Sequence, residues 1–172
     1  MHSSEARTWL EKEDRTDGED RLSRLDWLSG LMQEGNWLTF PGGWMAKHPF
    51  EEGRYCFVYG QFLAAIVLGM AYVEHTLAAL LYGAGRSDLE RAKISVLLRE
   101  AVKLGWLSEA EFNNLDHARA LRNPVAHFRQ PLSGDTVEHR SVTLNEPPYS
   151  ILEEDARHVM QVVFRLLARQ TV

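Results

Sequence analysis

The sequence predicts an all-α fold, and three observations carry that reading. From Tyr55 to Val73 the chain holds no charge at all, inside an apolar stretch (54–82) that reads as the central helix of a bundle. Four other stretches repeat apolar residues at three- and four-residue spacing, so each has one face that needs such a partner. Three of those four open on the same start signal, a Ser followed three residues later by Glu. Only six residues are proline, and the middle of the chain is poor in turns.

Residues 1–18 are charged and polar without apolar period, and are expected to be a flexible acidic N-terminus. From Glu19 to about Glu34, Leu22, Leu25, Leu28 and Met32 recur at helical spacing, widened by Trp27 and Leu31, with Gly35 as the stop. Residues 35–50 read as a loop, because Pro41, Gly42 and Gly43 oppose a regular element. Trp37, Phe40, Trp44 and Phe50 are a heavy aromatic load for a loop. They either pin it to the bundle or form a platform on which bases stack. The central helix follows and ends at Gly83-Ala84-Gly85.

Ser87-Asp88-Leu89-Glu90 then opens a helix to Leu104, with Ile94, Leu97, Leu98 and Ala101 inward and Gly105 as stop. Ser108-Glu109-Ala110-Glu111 opens a second to Arg122, with Phe112, Leu115 and Ala118 inward. Ser150-Ile151-Leu152-Glu153 opens the last, to about Gln170, with Leu152, Ala156, Val159, Val163 and Leu167 inward. Between the last two, Pro131, Gly134, Pro147 and Pro148 mark a loop, in which Val137, Val142 and Leu144 hint at a short hairpin. The expected organisation is a single domain: the flexible segment 1–18, the N-terminal helix and aromatic loop 19–49, and the helical bundle 50–172.

Composition narrows the function classes. The uncharged stretch reaches the length of a membrane span. However, Gly60, Gln61 and Gly69 interrupt it, Glu74 and His75 follow directly, and no positive flank orients it. No membrane association is expected. No apolar signal core begins the chain, and a lone Cys56 in an apolar run fits inert core in a reducing compartment, so the expected location is cytoplasmic. No Cys pair or His cluster has metal-ligand spacing, and no Gly-rich phosphate loop or Ser-centred nucleophile motif occurs; no metal and no cofactor is expected. The net charge of −5 does not advertise a general nucleic-acid coat. Residues 1–20 carry seven acids against three bases, so −4 of that charge sits there. Arg119, Arg122 and Arg129, with His117 and His127, form a local basic cluster that can hold phosphate.

The chemistry concentrates in Leu121-Arg122-Asn123-Pro124-Val125-Ala126-His127-Phe128. On one unbroken helix, residues 122 and 127 would diverge by about 140°. Proline lacks an N–H and its ring clashes with the preceding turn, so Pro124 is expected to end the helix. Asn123-Pro124 reads as the N-cap and first residue of a short new helix, a break that would let Arg122 and His127 converge.

At these residues, Arg122-Asn123-Pro124-Val125-Ala126-His127, the chain resembles the HEPN superfamily, whose signature is R-N-x-x-x-H. The resemblance covers about residues 50–170: a long apolar helix, a helix ending in the motif, a loop and a last amphipathic helix. It implies a HEPN-like four- or five-helix bundle with a short kinked motif helix after Asn123. It also implies a homodimer and, in many members, a metal-independent ribonuclease. Such proteins often act in defence or toxin–antitoxin pairs, beside an antitoxin or a nucleotidyltransferase.

The residues suit that chemistry. Cleaving RNA without a metal needs a base for the 2′-hydroxyl, a cation for the charge that builds on phosphorus, and an acid for the leaving 5′-oxygen. Histidine exchanges protons near neutral pH, and arginine presents a permanently charged fork to phosphate. His127 is the expected acid/base and Arg122 the phosphate clamp; Asn123 either caps the short helix, its expected primary job, or orients His127 and the phosphate. One His supplies a base or an acid but not both; two copies across a two-fold axis supply both. The resemblance places an acidic residue near the end of the central helix, here Glu74, which would orient Arg122. Arg119 and Arg129 would either contact the RNA backbone or be plain surface charge. The alternatives are a silent HEPN-like module that binds RNA, a nucleotide or a regulatory partner without cutting, and a helical adaptor that docks through its N-terminal helix. A purely structural reading pairs Arg122 with Asp116 or Glu74 and leaves His127 half-buried.

Overall fold

A computed structural model describes residues 3–32, 39–130 and 132–170. Gly35, expected to stop the first helix, Trp37 of the aromatic loop, and Pro131 lie outside the described residues. Among the described residues the chain is all-α, with seven α-helices, one turn of 3-10 helix and no strand. The helices are α1 (Ser3–Ser29), α2 (Trp44–Val58), α3 (Phe62–Gly83), α4 (Ile94–Lys103), α5 (Glu109–Ala126), α6 (Val137–Leu144) and α7 (Pro148–Ala168).

The long apolar helix is the centre, as its composition demands. α3 packs against α2, α4, α5 and α7. It buries Phe62, Ile66, Met70, Tyr72, Val73, Leu77 and Leu81 in one continuous core. Its length and composition alone would let it cross a membrane, a test that the core helix of a bundle also passes. The expected stretch 54–82 proves to be two helices rather than one. The chain reverses at Tyr59-Gly60-Gln61, and α2 runs back alongside α3, with Phe50 against Tyr72 and Phe57 against Phe62. Gly60 makes the reversal possible. Its φ of +72° is in the left-handed region, and a Cβ there would meet the Tyr149 hydroxyl and Arg24.

Four further expectations are corrected. α1 starts at Ser3, not near Glu19, so the segment read as flexible is helical from its third residue. Charged side chains at residues 4–20 stay in water, which a helix tolerates without an apolar stripe. The stripe that packs is also displaced: Arg24, Trp27, Leu28 and Leu31 face the bundle, whereas Leu22, Leu25 and Met32 are exposed. Arg24, 5% exposed, holds α1 in place through Glu153 of α7 at 3.3 Å and the face of Phe62 at 5.0 Å.

Second, α2 begins at Trp44 within the expected loop, and its Pro49 lies inside the helix. Phe40 and Phe50 turn inward against Tyr72, which pins the segment, while Trp44 is 68% exposed and stacks on His48. Third, the Ser-x-x-Glu signal opens only α5 as expected. Ser87 begins the 3-10 turn Ser87–Leu89, and α4 starts seven residues later. α7 starts at Pro148, where a fixed φ and a missing N–H suit the first helical position, so Ser150 is already inside it. Fourth, residues 137–144 are not a hairpin but α6, capped by Thr136 and tied to α7 by a two-pronged Arg140–Asp155 pair at 2.6 and 2.8 Å.

Candidate functional site

The motif sits at the end of α5. Both halves of the capping box are present at the start of this helix: Glu111 accepts from the Ser108 N–H at 2.8 Å, and Ser108 accepts from the Glu111 N–H at 3.3 Å. The expected break does not occur. α5 runs through Pro124 to Ala126, and Asn123 is a helical residue rather than an N-cap. Pro124 lies in the last turn, so only its bond to the Ala120 carbonyl is lost. Packing of Leu115, Ala118 and Val125 against the core holds the turn together.

The backbone turns aside three residues later instead. His127 is the first residue past the helix, extended at φ −134°, ψ 137°, with its N–H still donating to the Asn123 carbonyl at 3.0 Å. The 140° divergence of an unbroken helix therefore does not apply to its side chain. Arg122 and His127 line one cavity of about 410 Å³, within the size range of small-ligand sites.

Four elements build that cavity. α3 contributes Glu74, α5 contributes Arg119, Arg122 and Asn123, and the segment after α5 contributes His127 and Arg129. The opening of α4 contributes Lys93, Ile94 and Ser95. Lys93 is the N-cap residue of α4 but makes no side-chain cap bond. Lys93 and Ser95 were not singled out by sequence reading. Their only local signal is a polar residue either side of Ile94, and it is the packing of α4 on α3 and α5 that brings them to the motif.

The charges are unevenly committed. Arg119 is paired with Asp116 at 2.7 Å, and Arg129 with Asp135 at 3.0 Å. Hydrogen bonds from Arg129 and then Ser133 hold the Asp135 carboxyl below the usual carboxylate range. The Asn123 amide, in the orientation that satisfies both its ends, donates to the Arg119 carbonyl and accepts from Arg119 Nη1, each at 3.2 Å. Arg122 differs. It is half-buried, its Nε is fully buried without a hydrogen-bond partner, and no ion pair joins it to Asp116 or Glu74 among the described residues. The purely structural reading of Arg122 thus lacks its carboxylate. Glu74 faces the same cavity without a hydrogen bond to Arg122. The site carries Lys93 and three arginines against Glu74, Asp116 and Asp135, and so is locally positive on a chain of net charge −5.

Two histidines outside the motif also meet. His117 of α5 and His158 of α7 stand edge to face at 4.7 Å, and His158 Nε2 donates to the Asn114 carbonyl at 3.0 Å. Their spacing in sequence carries no sign of this. Cys56 is half-buried in α2, and burial raises its thiol pKa, which suits an unreactive core residue. Compared with family models, with curated proteins and with solved structures, the chain matches none of them significantly.

Proposed function

We propose that the protein is a HEPN-type, metal-independent endoribonuclease, acting in the cytoplasm as a homodimer and serving as a toxin or defence effector. The observation that carries this reading is Arg122: a guanidinium with a buried, unpartnered Nε, facing the cavity that His127 also faces. A buried donor without an acceptor costs about 1–3 kcal/mol. In this reading a phosphate that draws the guanidinium outward supplies the missing acceptor.

In the proposed reaction Arg122 holds a non-bridging phosphate oxygen. One His127 takes the 2′-hydroxyl proton as that oxygen attacks phosphorus. The bond to the 5′-oxygen breaks, a 2′,3′-cyclic phosphate forms, and the partner copy's equivalent histidine protonates the departing oxygen. Glu74 orients Arg122 once substrate draws the guanidinium outward. Asn123 bridges to Arg119 and positions it, and Arg119 and Arg129 exchange their carboxylates for backbone phosphates. The dimer face would carry residues 119–129. Phe128, 87% exposed beside His127, is a side chain that such a face would cover. The HEPN-like bundle, and an antitoxin or nucleotidyltransferase partner, belong to the same proposal.

A second reading, a binding module that holds RNA or a nucleotide without cutting, draws on the pairing of Arg119 and Arg129 with Asp116 and Asp135. One assay separates the two. Mixed RNA is incubated in excess EDTA with the protein and with Arg122→Ala and His127→Ala. Cleavage that falls at least 100-fold in both variants is the expected result. Equal RNA binding with no cleavage by any of the three proteins leaves only the binding module. A monomer in gel filtration would remove the second histidine and with it the proposed mechanism.

A further inference from the structure

We propose that the opening of α4 is a second phosphate subsite of this cavity, with Lys93 as its cation and Ser95 as its hydroxyl donor, so that the site selects a chain of nucleotides over a single one. This inference rests on the reading of the cavity as a nucleic-acid site. Two observations lead to it. Lys93 and Ser95 line the same cavity as Arg122 and His127, but they come from the opening of a different helix. Lys93 is exposed and has no ion-pair partner among the described residues, whereas Arg119 and Arg129 are each held by a carboxylate. The free cations of the cavity are therefore two, Arg122 and Lys93, and they sit on separate elements.

That division suits a ligand that carries more than one phosphate. A planar guanidinium, half-buried beside a proton-transferring ring, suits the phosphate that reacts. An exposed, flexible ammonium suits a neighbouring phosphate whose position varies with the conformation of the strand. The α4 opening lines the cavity with Lys93, Ile94 and Ser95, a cation and a hydroxyl without a carboxylate, so its ligand class is a phosphodiester flanking the reactive one.

The test uses a fluorescent eight-nucleotide RNA made uncleavable by 2′-O-methylation, with a dinucleotide of the same chemistry as competitor. Affinity is read by anisotropy across a salt series for the wild type, Lys93→Ala, Lys93→Arg and, as control at the far end of α4, Lys103→Ala. Lys93→Ala should weaken octamer binding about 3- to 10-fold. It should also reduce the slope of log K against log salt by about 0.7, the release expected for one single-strand phosphate contact. Lys93→Arg should restore both, Lys103→Ala should change neither, and dinucleotide affinity should be the same with and without Lys93. Unchanged affinity and slope in Lys93→Ala overturn the subsite, even where unmodified RNA is still cut in an Arg122-dependent way. The converse pattern, a Lys93-dependent slope in a protein that cuts nothing, keeps the subsite and removes the nuclease. No measurable binding by the wild type removes both. A circular-dichroism melt of Lys93→Ala equal to wild type assigns the change to contact rather than to folding.

Discussion

Arg24 brings its charge into a corner where α1, the turn after α2, and α7 meet, and it is kept there by what surrounds it. Burial alone would raise the pKa of its partner Glu153, but hydrogen bonds from Arg24 and Arg157 reverse this and hold the carboxyl below its ordinary range. The sign of the pH dependence follows. A carboxyl whose folded pKa is lowered stabilises the fold above the unfolded value, and that contribution is lost as pH falls through the folded one. Glu153→Gln keeps the shape and removes the charge. It should cost about 2 kcal/mol at neutral pH, with the gap to wild type closing as pH drops below the ordinary glutamate value of 4.5. Urea denaturation at pH 7 and pH 3 checks this; a gap of equal size at both would mean the charge contributes nothing. At this scale the sequence was legible where candidate residues are neighbours in the chain: Arg122, Asn123 and His127 share a cavity because they share a helix end. Lys93, Ser95 and the His117–His158 contact were not legible, since each depends on which helices pack together.

At the scale of the element, start signals proved weaker than the breakers around them. The Ser-x-x-Glu pattern occurs three times, and only Ser108 caps a helix in the expected way. Ser87 is followed by a 3-10 turn, and Ser150 lies inside a helix that Pro148 has already begun. Pattern fails here because a cap is specified by where the backbone enters, not by which residues could bond if it did. Pro124 fails in the opposite sense. Its chemistry argues for a break, but one missing hydrogen bond in a final turn costs less than unpacking Val125 from the core. Pro124→Ala should therefore stabilise the protein, by about 1–2 kcal/mol. This is the roughly 3 kcal/mol handicap of interior proline, reduced by the looser unfolded chain of the variant. A higher melting temperature with α5 intact is the expected outcome; a lower one would mean that proline holds His127 in place. The apolar segment 54–82 was legible as helix but not as two, because Gly60 looks the same in sequence whether it interrupts a helix or reverses it.

For the whole molecule, apolar periodicity was enough to give an all-α bundle around its least charged stretch. The count of seven helices among the described residues was not, because α2 and α3 share one apolar stretch and α6 buries no residue and so leaves no stripe to read. The frame depends on close approach between α3 and α7. A Cβ at Gly69 would stand 2.6 Å from Val159 Cγ1 and 3.0 Å from Met160 Cε, so Gly69→Ala should cost about 1–3 kcal/mol by overpacking. A chemical melt measures it, and a neutral result would mean that α7 can slide aside.

That contact has a bearing on how the cavity can move. With nothing between them at Gly69, α3 and α7 interlock like gear and rack, and Glu74, little more than a turn further on, inherits their stiffness. His127, on extended backbone past the last turn of α5, has no such anchor. Compliance would then be one-sided: a ligand in the proposed site would meet a fixed jaw at Glu74 and a yielding one at His127.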